Sequence, residues 1–170
     1  MKPTGPPPPR PPPFDTAMID EILFTRAVSV AEAIERRLQA TTESIDAALY
    51  RLNSPRFAQA LEKAVLQGMS VRLVLDRYRY MRTPETRAIL TGSHVPFRLS
   101  CGRKGRWSKM HHKFVILDRK AVVTGSYNWT VESEEQNYEN VLIIRDPSVV
   151  LPYAVEFEEL WAASAPVGEQ

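Results

Sequence analysis

Three short apolar runs, separated by two stretches of helical period, limit what this chain can become. Glu21-Ile22-Leu23-Phe24-Thr25 reads as a first strand. Ser29 is placed to cap a helix in which Val30, Ala33, Ile34 and Leu38 recur on one face, with Glu32, Glu35, Arg36 and Arg37 between them. Residues 44–52 read as a largely buried strand. Ser54-Pro55 opens a second helix with Phe57, Leu61, Ala64 and Val65 on one face and Gly68 as its stop. Val71–Asp76 is the third strand. Strand-helix-strand-helix-strand order calls for parallel strands joined by helical crossovers, and so for an α/β sheet. Ligands of such sheets sit beyond the carboxyl ends of the strands. Asp76 ends the third strand, and Arg77-Tyr78-Arg79-Tyr80-Met81-Arg82 follows it. That run reads either as a solvated loop or as a surface that binds phosphates and stacks bases.

The rest of the chain extends the pattern. Thr83-Pro84-Glu85 begins a short helix ending near Gly92, and Pro96–Ser100 reads as a strand. Residues 131–136 are an acidic loop or short helix, Glu139–Ile144 a strand, and Pro147 the start of a last helix that Ala165-Pro166 ends. Its apolar positions are Val150, Tyr153, Phe157, Leu160 and Trp161. At 170 residues, one domain is expected. Residues 1–18 are assigned to a disordered proline-rich tail and 19–165 to a single catalytic domain. Cys101 stands alone, so no internal disulfide forms. No apolar run is long enough to span a bilayer, and residues 1–13 lack the apolar core of a secretory signal. This N-terminus reads as cytoplasmic; removal of an earlier signal would make the protein periplasmic or secreted.

Charge is uneven. Residues 70–120 hold thirteen basic and three acidic side chains, while the whole chain has a formal charge of only +2. The remainder is therefore acidic, and the basic segment suits a polyanion. Within it lies a glycine-containing loop, Gly102 to Lys109. Arg103, Lys104, Arg106, Trp107 and Lys109 are its candidate substrate-binding residues, with Trp107 either a stacking platform for a base or a loop anchor.

That loop leads into His111-His112-Lys113-Phe114-Val115-Ile116-Leu117-Asp118. Strand side chains alternate faces. His111 and Lys113 then project together, while His112 projects the other way with Phe114 and Ile116. Asp118, at the strand end, can anchor the turn that follows. Gly125 permits an abrupt change of direction. Ser126 and Asn128 bring a hydroxyl and an amide near His111. An imidazole can attack phosphorus, a fixed ammonium can stabilise the charge that develops, and neutral donors can hold the remaining oxygens. A nucleophilic imidazole needs a carboxylate to fix its tautomer, and Glu139 is the candidate. A zinc site from His94, Cys101, His111 and His112 is disfavoured by spacing and by the opposed histidines. Tyr127 and Trp129 read as core residues.

His111, Lys113, Asp118, Gly125, Ser126 and Asn128 fit the pattern H-x-K-x4-D-x6-G-S-x-N. In this the chain resembles the phospholipase D superfamily, and within it the small single-motif bacterial nucleases of the Nuc type. Arg119 stands where those proteins often have glycine. The resemblance implies a three-layer α/β/α sandwich with a mixed sheet. It also implies a metal-independent reaction with no cofactor, in which one histidine attacks phosphorus and a second protonates the leaving oxygen. One chain supplies one motif, so the resemblance implies a homodimer with the site on its two-fold axis. The catalytic set is then His111, Lys113, Asp118, Ser126, Asn128 and Glu139. The function expected first is a nuclease of low sequence preference acting on DNA, with RNA as a further substrate and no stable membrane association. The alternatives are a phospholipid hydrolase using the same residues and a nucleic-acid-binding protein without turnover.

Overall fold

The computed structural model describes residues 19–105 and 107–166. The proline-rich stretch within 1–18 and the candidate Arg106 lie outside them. The described chain runs β1 (Glu21–Phe24), α1 (Val30–Ala40), β2 (Ser44–Leu49), α2 (Pro55–Leu66), β3 (Ser70–Asp76), α3 (Arg77–Arg82) and α4 (Pro84–Thr91). It continues with β4 (Phe97–Ser100), β5 (Lys113–Leu117), β6 (Ala121–Gly125), α5 (Val131–Glu135), β7 (Asn140–Ile144), α6 (Pro147–Ala163) and β8 (Ala165–Pro166).

The strands form one mixed sheet in the order β1-β7-β6-β5-β2-β3-β4-β8. β2, β3 and β4 are parallel neighbours, and α2 makes the crossover between the first two. β5, β6 and β7 follow as antiparallel hairpin strands, with β5 against β2. β1 is not beside β2. It pairs antiparallel with β7 at the far edge, although it runs in the same direction as β2. Sequence order sets strand direction through the crossover, but the neighbour is chosen by long-range pairing. Ala165-Pro166 does more than end the last helix, since it adds the short edge strand β8 to β4.

Period-two alternation sends the sheet's side chains into two cores. Ile45, Ala47, Leu49, Leu73, Leu75, Val115 and Leu117 pack with Ile34 and Leu38 of α1 and Phe57 and Leu61 of α2. Ala48, Val74, Phe114, Ile116 and Val122 pack with Val150 and Phe157 of α6. Helices on both faces make the expected α/β/α sandwich. Phe57 and Phe157 are fully buried anchors of the two cores, and truncating either to alanine costs about 3–5 kcal/mol.

Local chemistry sets the element ends. Ser29 caps α1 by accepting from the Glu32 amide at 3.1 Å. Asp76 caps α3 by accepting from the Arg79 amide at 2.8 Å, so residues 77–82 form a helical turn, not a loop. His111 and His112 lie just before β5, outside the strand the sequence suggested. The backbone there is still tied to β2, because the Tyr50 amide donates to the His112 carbonyl at 2.8 Å. Gly125 is required for a reason other than a turn. A Cβ there would collide with the Asn140 carbonyl on β7, so the glycine allows a close approach of two strands.

Candidate active site

β2, β3 and β6 end at one edge of the sheet, and β5 and β7 begin there. That edge gathers Tyr50, Asp76, Arg79, Lys109, His111, Lys113, Ser126 and Glu139. Residue alternation holds through His111: the Lys113 Nζ lies 3.2 Å from His111 Nδ1 and donates to the His111 carbonyl at 2.9 Å. His112 points to the other face, where Nε2 is 3.1 Å from a Glu156 carboxylate oxygen and the ring meets Phe114 edge-on.

His111 is solvent-exposed at its outer edge and rests on Tyr50, ring centroid to ring centroid 4.2 Å. Burial, then Lys113 and then Lys109 hold its pKa below the ordinary 6.5. Its imidazole is therefore neutral at neutral pH, the state a nucleophile needs. Burial also lowers the pKa of Lys113, opposed by Glu139. A charged Lys113 has only donors, so it assigns Nδ1 as the acceptor and leaves the imidazole proton on Nε2.

Glu139 does not hold His111. Its carboxylate accepts from Ser126 Oγ, from Asn137 Nδ2 at 3.1 Å and from Ser133 Oγ at 3.4 Å. Three donors from its own end of the sheet engage it, and the expected tautomer-fixing bond is not made within the chain. Ser126 is fixed in turn, with Oγ accepting from the Asn140 amide at 3.1 Å. Asn128 follows Tyr127 with its Oδ1 buried and without a hydrogen-bond partner among the described residues. Tyr127 and Trp129 are buried against Phe57.

Asp118 lies at the opposite end of β5 from Lys113 and takes no part in this constellation. Its carboxylate accepts from the amides of Glu43 at 2.7 Å, Ser44 at 2.9 Å and Thr42 at 3.1 Å. Burial pushes its pKa up, but those amides outweigh burial and hold it below the ordinary 3.8. Asp118 and Arg119 both have positive φ, at 52° and 54°, as the turn between β5 and β6 demands. Arg119 adopts this without being glycine and reaches Glu158 at 2.9 Å.

The basic loop is closed on itself. The Gly102 amide donates to the Ser108 carbonyl at 2.9 Å, and the Lys104 amide donates to Ser108 Oγ at 2.9 Å. Arg103 and Lys109 line a cleft of about 610 Å³ with Met110, His111, His112 and Glu156. Lys104 and Trp107 are exposed outside that lining. Among the described residues no group of three or more His, Cys, Asp and Glu is arranged to hold a metal ion; His94 is paired with Glu62 at 3.0 Å.

Two site residues escaped the sequence reading. Tyr50 reads as one more core aromatic at a strand end, with nothing in its spacing to place it under His111. Asp76 reads as a strand terminus, yet it is fully buried and its second oxygen accepts from the Met110 amide at 2.9 Å. It thus pins the residue before His111 to the cap of α3.

Comparison with known proteins places these features in context. The model of a family described as cardiolipin synthase, PLD-like domain, matches residues 34–161. A mitochondrial cardiolipin hydrolase of Mus musculus is 35% identical over 130 residues, which are 74% of this chain and 55% of that protein. The chain thus spans about half the length of that curated relative. Nuc of Salmonella typhimurium, a phospholipase D family member, superposes with a TM-score of 0.77 at 22% identity, over 86% of this chain and 95% of that one. NucT from Helicobacter pylori gives 0.75 at 21% identity, over 86% and 99%. At these identities the likeness to the solved structures is one of fold.

Proposed function

The chain belongs to the phospholipase D superfamily, in its PLD-like domain family, and we propose that it is a phosphodiesterase acting as a homodimeric nuclease. Its substrate on this reading is DNA, and RNA by the same chemistry, with residues 19–165 as the catalytic unit. The observation that supports this most is the sheet edge around His111. Lys109, Arg103 and Arg79 gather there around His111, and none of them makes an ion pair with a described residue. Unneutralised cations around a neutral imidazole suit a polyanionic phosphodiester.

The reaction divides into two displacements. His111 Nε2 attacks phosphorus, a P–N bond forms, and the P–O bond to the leaving alkoxide breaks. The second copy's histidine, held as the imidazolium while His111 is neutral, gives that oxygen a proton and becomes neutral itself. It then takes a proton from water, whose oxygen attacks phosphorus and releases His111. For the attack, the Nε2 proton of the resting tautomer must leave and Nδ1 must be free to hold it. An arriving phosphoryl oxygen provides for this by drawing Lys113 from Nδ1 to itself, where the ammonium stabilises the transition state. The Asn128 amide nitrogen can donate a neutral hydrogen bond to the phosphate, while Ser126, whose hydroxyl donates to Glu139 and accepts from the Asn140 amide, braces that end of the sheet. The two histidines titrate as a coupled pair.

The name of the mouse relative favours a second reading, hydrolysis of a phospholipid headgroup ester by the same residues. No described helix is long and apolar enough to cross a membrane, which leaves open binding at a lipid surface. Purified protein is assayed in EDTA against single-stranded DNA, double-stranded DNA, RNA and anionic phospholipid vesicles, with His111→Ala as control. Cleavage of nucleic acid that the variant lacks is expected. Intact nucleic acid together with released lipid product would overturn the first reading in favour of the second.

A further inference from the structure

Three cations converge on one aromatic ring beside His111. The Arg79 guanidinium carbon is 5.0 Å from the Tyr50 ring centroid, Lys113 Nζ 5.2 Å and Lys109 Nζ 6.0 Å. Tyr50 itself is buried, at 5% exposure. Its face accommodates the cations by cation–π attraction, and its hydroxyl accepts from Arg79 Nε at 2.6 Å. That bond uses only one corner of the guanidinium. The two terminal nitrogens of Arg79 make no hydrogen bond or ion pair with any described residue. Asp76, three residues earlier at the cap of α3, spends its oxygens on the backbone amides of Arg79 and Met110. The backbone that carries Arg79 and the backbone that carries His111 are therefore tied to the same buried carboxylate.

We propose that Arg79, held by Tyr50, binds a second phosphate of the substrate, the one next to the phosphate that His111 attacks. Lys113 is committed to the attacked group, through its contact with His111. A planar guanidinium fixed at Nε and open at both terminal nitrogens suits bidentate contact with a phosphate oxygen pair. Three like charges around one ring repel one another in the empty site, and an extended phosphate chain relieves more of that repulsion than a single phosphodiester does. The fields of Lys113, Lys109 and Arg79 all act on His111, which puts the three around one imidazole. The inference rests on the nuclease reading and narrows it: the substrate class is a polynucleotide, read as consecutive phosphates. Arg79 is a binding residue here, and Tyr50 a positioning residue that acts through Arg79 and under His111.

Thymidine dinucleotide, with one phosphodiester, and decathymidylate, with several, separate the two phosphates at constant base and sugar. Arg79→Ala is expected to lose tenfold or more in kcat/KM per bond on decathymidylate, and at most a third of that factor on the dinucleotide. Decathymidylate binding is measured over a salt series on His111→Ala and on the double variant with Arg79→Ala. Removing Arg79 is expected to reduce the slope of log K against log salt by about one phosphate contact. Tyr50→Phe keeps the ring, drops the hydroxyl, and is expected to move both readouts part of the way. Equal losses on the two substrates, or an unchanged salt slope, would overturn the proposal. If the wild type cleaves neither nucleotide substrate, the nuclease reading fails, while the salt slope still decides the role of Arg79.

Discussion

The two ends of β5 are built from one short motif and do opposite things. At the Lys113 end, polar groups are left with few partners among the described residues: an exposed imidazole that meets only Lys113 and Tyr50, cations without a carboxylate, and the Asn128 amide oxygen without a donor. At the Asp118 end, every charge is answered. Asp118 takes three backbone amides, Lys120 meets Glu43 at 2.7 Å, and Glu158 joins Arg119 to Arg72, which also holds Asp46 at 2.7 Å. Binding to Arg72 first, against burial, keeps the Glu158 pKa below its ordinary value. The difference teaches that the motif His111-x-Lys113-x4-Asp118 joins the group proposed to react to its scaffold. Its acid secures the turn and the start of β2, and the register Leu49↔Lys113 carries that order to the far end, where Tyr50 lies under His111.

If this division is right, mutations at the two ends separate cleanly into rate and stability. His111→Ala is expected to lower turnover on the order of 10⁴-fold or more, with DNA binding and Tm nearly unchanged; steady-state kinetics beside a melting curve checks it. Lys113→Ala follows, with kcat reduced about 10²- to 10³-fold and the salt slope of binding reduced by about one. At the other end, Asp118→Ala is expected to cost about 2–4 kcal/mol of stability through three orphaned amides. Its folded enzyme should keep kcat/KM within about threefold, because direct contact with the reacting phosphate is worth far more than that.

The pH dependence of Asp118 has a definite sign. Its pKa is depressed in the folded state, so the stability it adds is present above the unfolded value near 3.8. That contribution is lost as pH falls through the lower, folded value. The wild-type advantage over Asp118→Ala should shrink in acid melts. Smallest of all is Arg119→Gly. Relief of a positive φ gains about 1 kcal/mol, and loss of the exposed pair with Glu158 offsets part of it. A rise in Tm of a few degrees at unchanged activity is expected, and a fall would show that the Glu158 network matters more than the turn.

Sequence carried the alternation well. His111 with Lys113, His112 with Phe114, and the two cores all follow from a period of two, a local property. What depends on which distant segments meet is not legible: the pairing of β1 with β7, and the bonds of Glu139 to Ser126, Ser133 and Asn137 within its own chain, are settled by tertiary packing. Asp118 shares the motif of His111 and Lys113, though four residues of extended strand separate it from Lys113. Tyr50 and Arg79 were invisible as a pair, since nothing in their spacing shows that the cap of α3 brings one to the other.

The most direct test is to trap the covalent intermediate. Wild-type protein in EDTA is mixed with labelled single-stranded DNA, quenched within the first turnover at alkaline pH, digested and sequenced by mass spectrometry. A phosphoryl-linked nucleotide on His111, absent from His112 and from the Lys113→Ala protein, is the predicted result. Cleavage with the adduct on His112, or with His111 unmodified and freely replaceable by alanine, would contradict it.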